Sequence, residues 1–136
     1  MTSQLAEPVG RFYETFAVQH DPAAAVAVFA DAAIIHWQSQ LLDVTHYQQI
    51  GQAFLSAFAD LSFTIDAQLI AGDTVITRGT WSGTNTGSLM GMPVTGKSFR
   101  SAGMVIDTVV QGAIVERWEL GDLLGMLQQL GLAPAT

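Results

Sequence analysis

Near residue 60 the apolar residues of this 136-residue chain change their spacing, from every third or fourth position to every second. Helical periodicity followed by strand periodicity confines the fold to helices first and sheet second. Leu5, Val9, Phe12 and Phe16 fall on one side of a first helix, with Pro8 early enough to be tolerated in its opening turn. Asp21 as N-cap and Pro22 at the first helical position start a second helix through Ala23 to Phe29, which forms a hairpin with the first. Ala33 to Gln38 is β-branched and aromatic and predicts a strand. From about Thr45, the spacing of Tyr47, Ile50, Phe54 and Phe58 predicts a third helix, weakened by Gly51. Beyond it Phe63, Ile65, Ala67 and Leu69 alternate with polar residues, and Ala71-Gly72-Asp73 supplies a turn before a strand from Thr74 to Gly83. Strands from Ser98 to Val110 and from Ala113 to Leu120 meet at Gln111-Gly112, a second tight turn.

The pattern predicts an α+β domain over residues 1–136, with N-terminal helices packed on a strongly curved antiparallel sheet that forms a cone around an internal pocket. Such a concave, largely apolar pocket suits a small hydrophobic organic molecule. Charged residues make up only 12% of the chain, below the usual ~25%, so self-association as a homodimer is expected to cover part of the surface. A formal charge of −7 disfavours nucleic acid as a partner. The lack of cysteine removes disulfides and thiolate chemistry. Met1-Thr2-Ser3-Gln4 does not resemble the basic start of a secretory leader, and no apolar run approaches the ~20 residues of a membrane span. A cytoplasmic protein with no membrane partner is expected, with a frayed tail over Ala133 to Thr136.

Asp122, at the end of the last strand, would sit where the cone opens, as a proton-transfer group or as the N-cap of a helix from Leu123 to Leu130. His36, beside Trp37, either hydrogen-bonds within the core or faces the pocket as a proton-transfer partner. Arg78 shares a strand face with Ile76 and Thr80, and its expected partner is Glu116 or Asp122, in a structural ion pair or in substrate orientation. Trp37, Trp81, Phe99, Met104, Ile106 and Trp118 are candidates for apolar wall. His20 and His46 read as surface residues, and three histidines without helical pairing do not predict a metal site. The glycines of 83–96 lie between strands rather than between a strand and a helix, so no nucleotide or flavin cofactor is expected.

Two stretches carry a family resemblance. Gly83-Thr84-Asn85-Thr86-Gly87, Gly91-Met92-Pro93 and Thr95-Gly96-Lys97 form the first, and Gly112 to Asp122 running into Leu124-Gly125-Met126-Leu127 forms the second. Together they resemble the SnoaL-like polyketide cyclases. The resemblance implies the cone shared with nuclear-transport-factor-2-like proteins and ketosteroid isomerase, and Asp122 as general acid/base in an intramolecular aldol closure without a cofactor. Where aromatic polyketide cyclases carry glutamine and histidine two residues apart on the penultimate strand, this chain has Ile106 and Thr108. The expected function is a cyclase or isomerase acting on a hydrophobic carbonyl compound, with Asp122 as proton shuttle and His36 or Arg78 orienting the substrate. Trp37, Thr80, Met104, Ile106, Thr108 and Trp118 would line its pocket. The alternatives are a hydrolase resembling limonene epoxide hydrolase and a non-catalytic binding protein. Asn85, Thr86 and their glycines are expected to shape the loop.

Overall fold

The computed structural model describes residues 4–134. Met1 to Ser3 and the last two residues of the tail, on which the leader and fraying expectations partly rest, lie outside the described residues.

Helix α1 (Glu7–Tyr13) runs on into a π-helical segment, Glu14–Val18. Helix α2 (Pro22–Ala25) is capped by Asp21, whose carboxylate accepts from the Ala24 amide at 3.1 Å. The helix predicted through Phe29 stops early, giving way to a 3-10 turn over Val26–Val28. Phe29 is then the first residue of strand β1 (Phe29–Trp37), paired with Ile114. Tertiary pairing of a β-prone residue overrides the helical propensity of the alanines before it.

At Gln38 and Ser39 the chain takes positive φ twice, at 49° and 68°, and returns as strand β2 (Gln40–Leu42). This hairpin carries no glycine, so its turn is invisible to composition. Helix α3 (Val44–Ala57) begins at Asp43, which accepts from the His46 amide at 2.8 Å. Strands β3 (Ser62–Ala71), β4 (Thr74–Thr84), β5 (Ser98–Val110) and β6 (Ala113–Gly121) follow as an antiparallel meander, and helix α4 (Leu123–Gln129) ends the fold.

The six strands lie in the order β2-β1-β6-β5-β4-β3, in a curled sheet that does not close. The α+β architecture agrees with the sequence, but β2 stands where a loop is expected, and the β1–β6 pair runs parallel, so the sheet is mixed. Bulges interrupt β1, β3 and the β5–β6 pairing, each adding local twist. Gly79 of β4 pairs with Gly103 of β5. A Cβ at Gly79 would stand 2.0 Å from the Phe63 ring, and one at Gly103 would stand 2.8 Å from the Trp81 indole nitrogen. The glycine pair thus admits the Phe63 and Trp81 rings against the bare backbone.

The concave face packs on the helices. Val9, Phe12, Tyr13 and Phe16 meet Phe29, Ile35, Val75, Val105 and Ile114 in the main core. The convex face carries exposed Ile34, Met104, Ile106, Trp118 and Leu120. No helix among the described residues is long and apolar enough to cross a membrane.

Candidate active site

Between the helices and the concave face lies a cavity of about 80 Å³. Phe12, Phe16, Trp37, Tyr47, Phe54 and Trp81 form much of its wall. Its polar rim and floor come from Gln38, Gln48, Ser101, Glu119 and Asp122. Among the described residues, Glu119 and Asp122 are its only charged lining groups, and no described lysine, arginine or histidine borders it.

Glu119 is the most perturbed of these groups. On β6, Arg117, Glu119 and Gly121 project toward the helices, while Glu116, Trp118 and Leu120 project outward. Protein encloses the Glu119 carboxyl, yet part of its surface stays free where it borders the cavity. Its Oε1 accepts a hydrogen bond from the Tyr47 hydroxyl. Burial pushes its pKa above the ordinary value, the Arg117 charge and the Tyr47 bond pull it back, and Asp107 adds to the rise. A carboxyl tuned upward in a largely apolar site is suited to general acid/base work near neutral pH.

Behind Glu119 stands a fully buried ion pair. Arg117 donates from Nε to Asp107 Oδ1 at 2.7 Å and from Nη2 to Oδ2 at 3.0 Å, a bidentate fork. Nη1 donates to the Tyr47 hydroxyl at 3.1 Å. The guanidinium carbon lies 4.2 Å from the Phe12 ring centroid and 5.1 Å from that of Phe29, within cation–π range. Burial works against the guanidinium charge, but Asp107, Tyr47 and Tyr13 hold its pKa above the usual value. Burial likewise raises the Tyr47 and Tyr13 hydroxyls.

Asp122 lies at the cavity margin. Its Oδ1 accepts from the Gly125 amide at 2.8 Å and so caps α4. Capping and lining the cavity are compatible, since one carboxylate has two oxygens. Trp37 also borders the cavity.

The remaining candidates are not brought together with Asp122. His36 projects from the convex face, stacked on Trp118 at 3.5 Å between centroids, with Nε2 2.9 Å from Glu116 Oε2. Arg78, on the same face, approaches Asp66 at 3.9 Å rather than Glu116 or Asp122. Thr80, which donates to Asp66 at 2.7 Å, lies beside it. Met104, Ile106, Thr108 and Trp118 also project outward and do not line the cavity, a correction to the predicted pocket. The inward residues of β5 are instead Phe99, Ser101, Gly103, Val105, Asp107 and Val109. Both faces of β5 and β6 are rich in apolar residues, so alternation alone cannot say which face is inside.

Sequence reasoning thus missed Glu119, Tyr47, Arg117 and Asp107. The available signal was a pair of opposite charges in neighbouring strands, Asp107 beside Ile106 and Arg117 beside Trp118, where a charge is rarely buried unless paired.

The motif from Gly83 to Lys97 shapes the loop after β4. Asn85 is fully buried, donating to Gly87 O at 2.8 Å and accepting from the Thr95 amide at 2.7 Å. A Cβ at Gly87 would lie 2.1 Å from the Ser56 carbonyl oxygen.

The sequence profile of the family described as SnoaL-like polyketide cyclase matches residues 7–130. The chain belongs to the SnoaL-like polyketide cyclase family. AclR, a proposed hydroxylase from Streptomyces galilaeus, is similar in fold, with a TM-score of 0.89 and 19% identity over 98% of this chain and 84% of its own. IdmH, a proposed polyketide cyclase from Streptomyces antibioticus, superposes with a TM-score of 0.84 and 28% identity over 95% of this chain and 99% of its own. A protein with a ketosteroid-isomerase-like fold from Catenulispora acidiphila, in complex with trimethylamine, gives a TM-score of 0.77 and 17% identity over 93% of this chain and 94% of its own. No curated protein sequence matches the chain. Members and neighbours of this SnoaL-like chain carry different proposed activities, so its chemistry must be argued from its own site.

Proposed function

We propose that this SnoaL-like protein is a cofactor-independent cyclase or isomerase that moves a proton on a small, hydrophobic, neutral carbonyl compound held in the cavity. The observation that carries the reading is Glu119, a carboxyl with a raised pKa bordering an aromatic cavity. In its ionised form Glu119 takes the proton from a carbon next to the carbonyl, and the freed electron pair moves onto the carbonyl oxygen as an enolate. In a cyclisation the enolate carbon bonds to a second carbonyl carbon of the same molecule, whose oxygen then receives the proton. In an isomerisation the proton returns to a different carbon. Either route leaves the carboxyl as it began, so no external reductant or oxidant is required. The aromatic wall orients the substrate and excludes water. Asp122 at the margin is the second carboxyl within reach of a polar substituent.

The test is exchange of the acidic C–H protons of 2-tetralone in deuterium oxide, followed by NMR. The wild-type protein should accelerate exchange above buffer, and Glu119→Gln should remove roughly 10²–10⁴ of that acceleration. Equal exchange by the variant overturns the role of Glu119. Chemical-shift changes on binding without accelerated exchange mean a non-catalytic binding protein.

One observation favours a second reading, epoxide hydrolysis. An acid–arginine–acid succession is present inside the fold, as Asp107, Arg117 and Glu119, although only Glu119 borders the cavity. Incorporation of oxygen-18 from water into a diol product would establish it.

The exposed apolar residues of the convex face, with the His36–Trp118 stack among them, support a homodimer that covers this face. Trp118→Glu should shift the sedimentation coefficient to that of a monomer, and a protein that is monomeric before substitution refutes the dimer.

A further inference from the structure

The buried chain behind Glu119 is built more completely than packing requires. Arg117 is held at three of its nitrogens, by two oxygens of Asp107 and by the Tyr47 hydroxyl, while Tyr47 in turn donates to Glu119. The participants come from three elements, α3, β5 and β6, and Asp107 faces Arg117 directly in the β5–β6 register. Arg117 and Asp107 are fully buried and do not border the cavity, so neither can touch a substrate. Taken only as a stabilising device, such a pair is a poor choice, because apolar residues of similar volume do as well or better.

We propose that Asp107, Arg117 and Tyr47 are positioning residues, a relay that orients the Glu119 carboxyl and sets how readily it gives up its proton. The inference rests on the reading of Glu119 as the proton-transfer group, but it concerns this chain's own ionisation and is testable without a substrate. The two ends of the relay act in opposite senses. The Tyr47 hydroxyl stabilises ionised Glu119 by donating to it, with the guanidinium fixing that hydroxyl from behind. The Asp107 carboxylate offsets the guanidinium charge, so that Glu119 experiences less of it. The other groups that bear on Glu119 are Trp37 of β1 and Tyr13 of α1, while Asp122, just beyond the end of its own strand, borders the same cavity.

The experiment is a carboxyl ¹³C NMR titration of the full chain labelled in its four glutamates, Glu7, Glu14, Glu116 and Glu119, with Glu119→Gln identifying the resonance. Tyr47→Phe keeps the ring and removes the hydroxyl, and should raise the Glu119 midpoint by about one pH unit, the worth of one hydrogen bond to a charged group. Asp107→Asn keeps the shape and removes the charge, and should lower the midpoint. Opposite shifts are the result expected of the relay and are not produced by general loosening of the core. Shifts of the same sign, or no shift in Tyr47→Phe, overturn the proposal. A second measurement needs no change in the relay. In wild-type protein labelled with 3-fluorotyrosine, the Tyr47 ¹⁹F resonance, told from Tyr13 by Tyr13→Phe, should titrate with the Glu119 midpoint. Failure of the two to move together also overturns the relay. Absence of accelerated carbonyl proton exchange in the wild-type protein, with both titrations as expected, would instead count against Glu119 as a catalyst and leave the relay standing.

Discussion

Replacing Arg117 by methionine isolates the energetics of the buried pair. Methionine fills much of the same volume against Phe12 and Phe29 and adapts to irregular space, so the loss is mainly electrostatic. What remains is the Asp107 carboxylate, fully buried and stripped of its 2.7 and 3.0 Å bonds. Removing one partner of a buried pair costs about 3–5 kcal/mol, and the cation–π contact adds roughly 0.5–2 kcal/mol. We expect urea unfolding at pH 7 to show a loss of about 4–7 kcal/mol with little change in m-value. In a thermal scan, that loss corresponds to roughly 15–25 °C for a chain of this size. The double variant Asp107→Leu/Arg117→Met removes both charges and should recover most of the loss, because the penalty belongs to the unpaired carboxylate. A single variant within about 1 kcal/mol of wild type, or a double variant as unstable as the single, would refute the account.

Glu119 makes stability depend on pH with a definite sign. Its pKa in the folded protein is raised above the ordinary 4.5, so the folded state binds the extra proton. The contribution is complete below about pH 4.5 and is lost as pH rises through the folded midpoint. The stability difference between wild type and Glu119→Gln, measured by urea unfolding from pH 4 to 8, should therefore fall with rising pH. A flat or rising difference contradicts the raised pKa. Asp43 and Asp60 are held low by backbone amides of His46 and Thr84 and act in the opposite sense. They cancel in the comparison. Gly87→Ala should destabilise by about 1–3 kcal/mol through the clash with the Ser56 carbonyl, whereas Gly10→Ala in α1, with nothing within 4 Å of the new Cβ, should be neutral or stabilising by up to about 1 kcal/mol; differential scanning calorimetry distinguishes them. With two carboxyls and no cation among the described residues bordering the cavity, 2-tetralone should bind and 2-naphthoate should not, and comparable NMR-detected binding of the anion would refute that selectivity.

The sequence alone determined the order of the elements other than the β2 hairpin, and the ends of the strands from β4 onward. The switch of period near residue 60, the caps at Asp21 and Asp122, and the turn at Gln111-Gly112 are local signals, each satisfied by neighbouring backbone whatever the rest of the chain does. The two motif stretches were legible for a similar reason, because Asn85 and Gly87 answer to steric and hydrogen-bonding demands of one loop. Only the tertiary structure decided which face of the sheet is inside. With Val105 and Val109 on one side of β5 and Met104 and Ile106 on the other, the hydrophobic pattern is satisfied either way. Packing of the helices on the concave side and the bulge between β5 and β6 break that tie. That choice turned His36, Arg78 and Trp118 outward and brought Asp107, Arg117, Tyr47 and Glu119 together from three elements. Their chemistry depends on desolvation and on pairing across long sequence separations, quantities that no local spacing encodes.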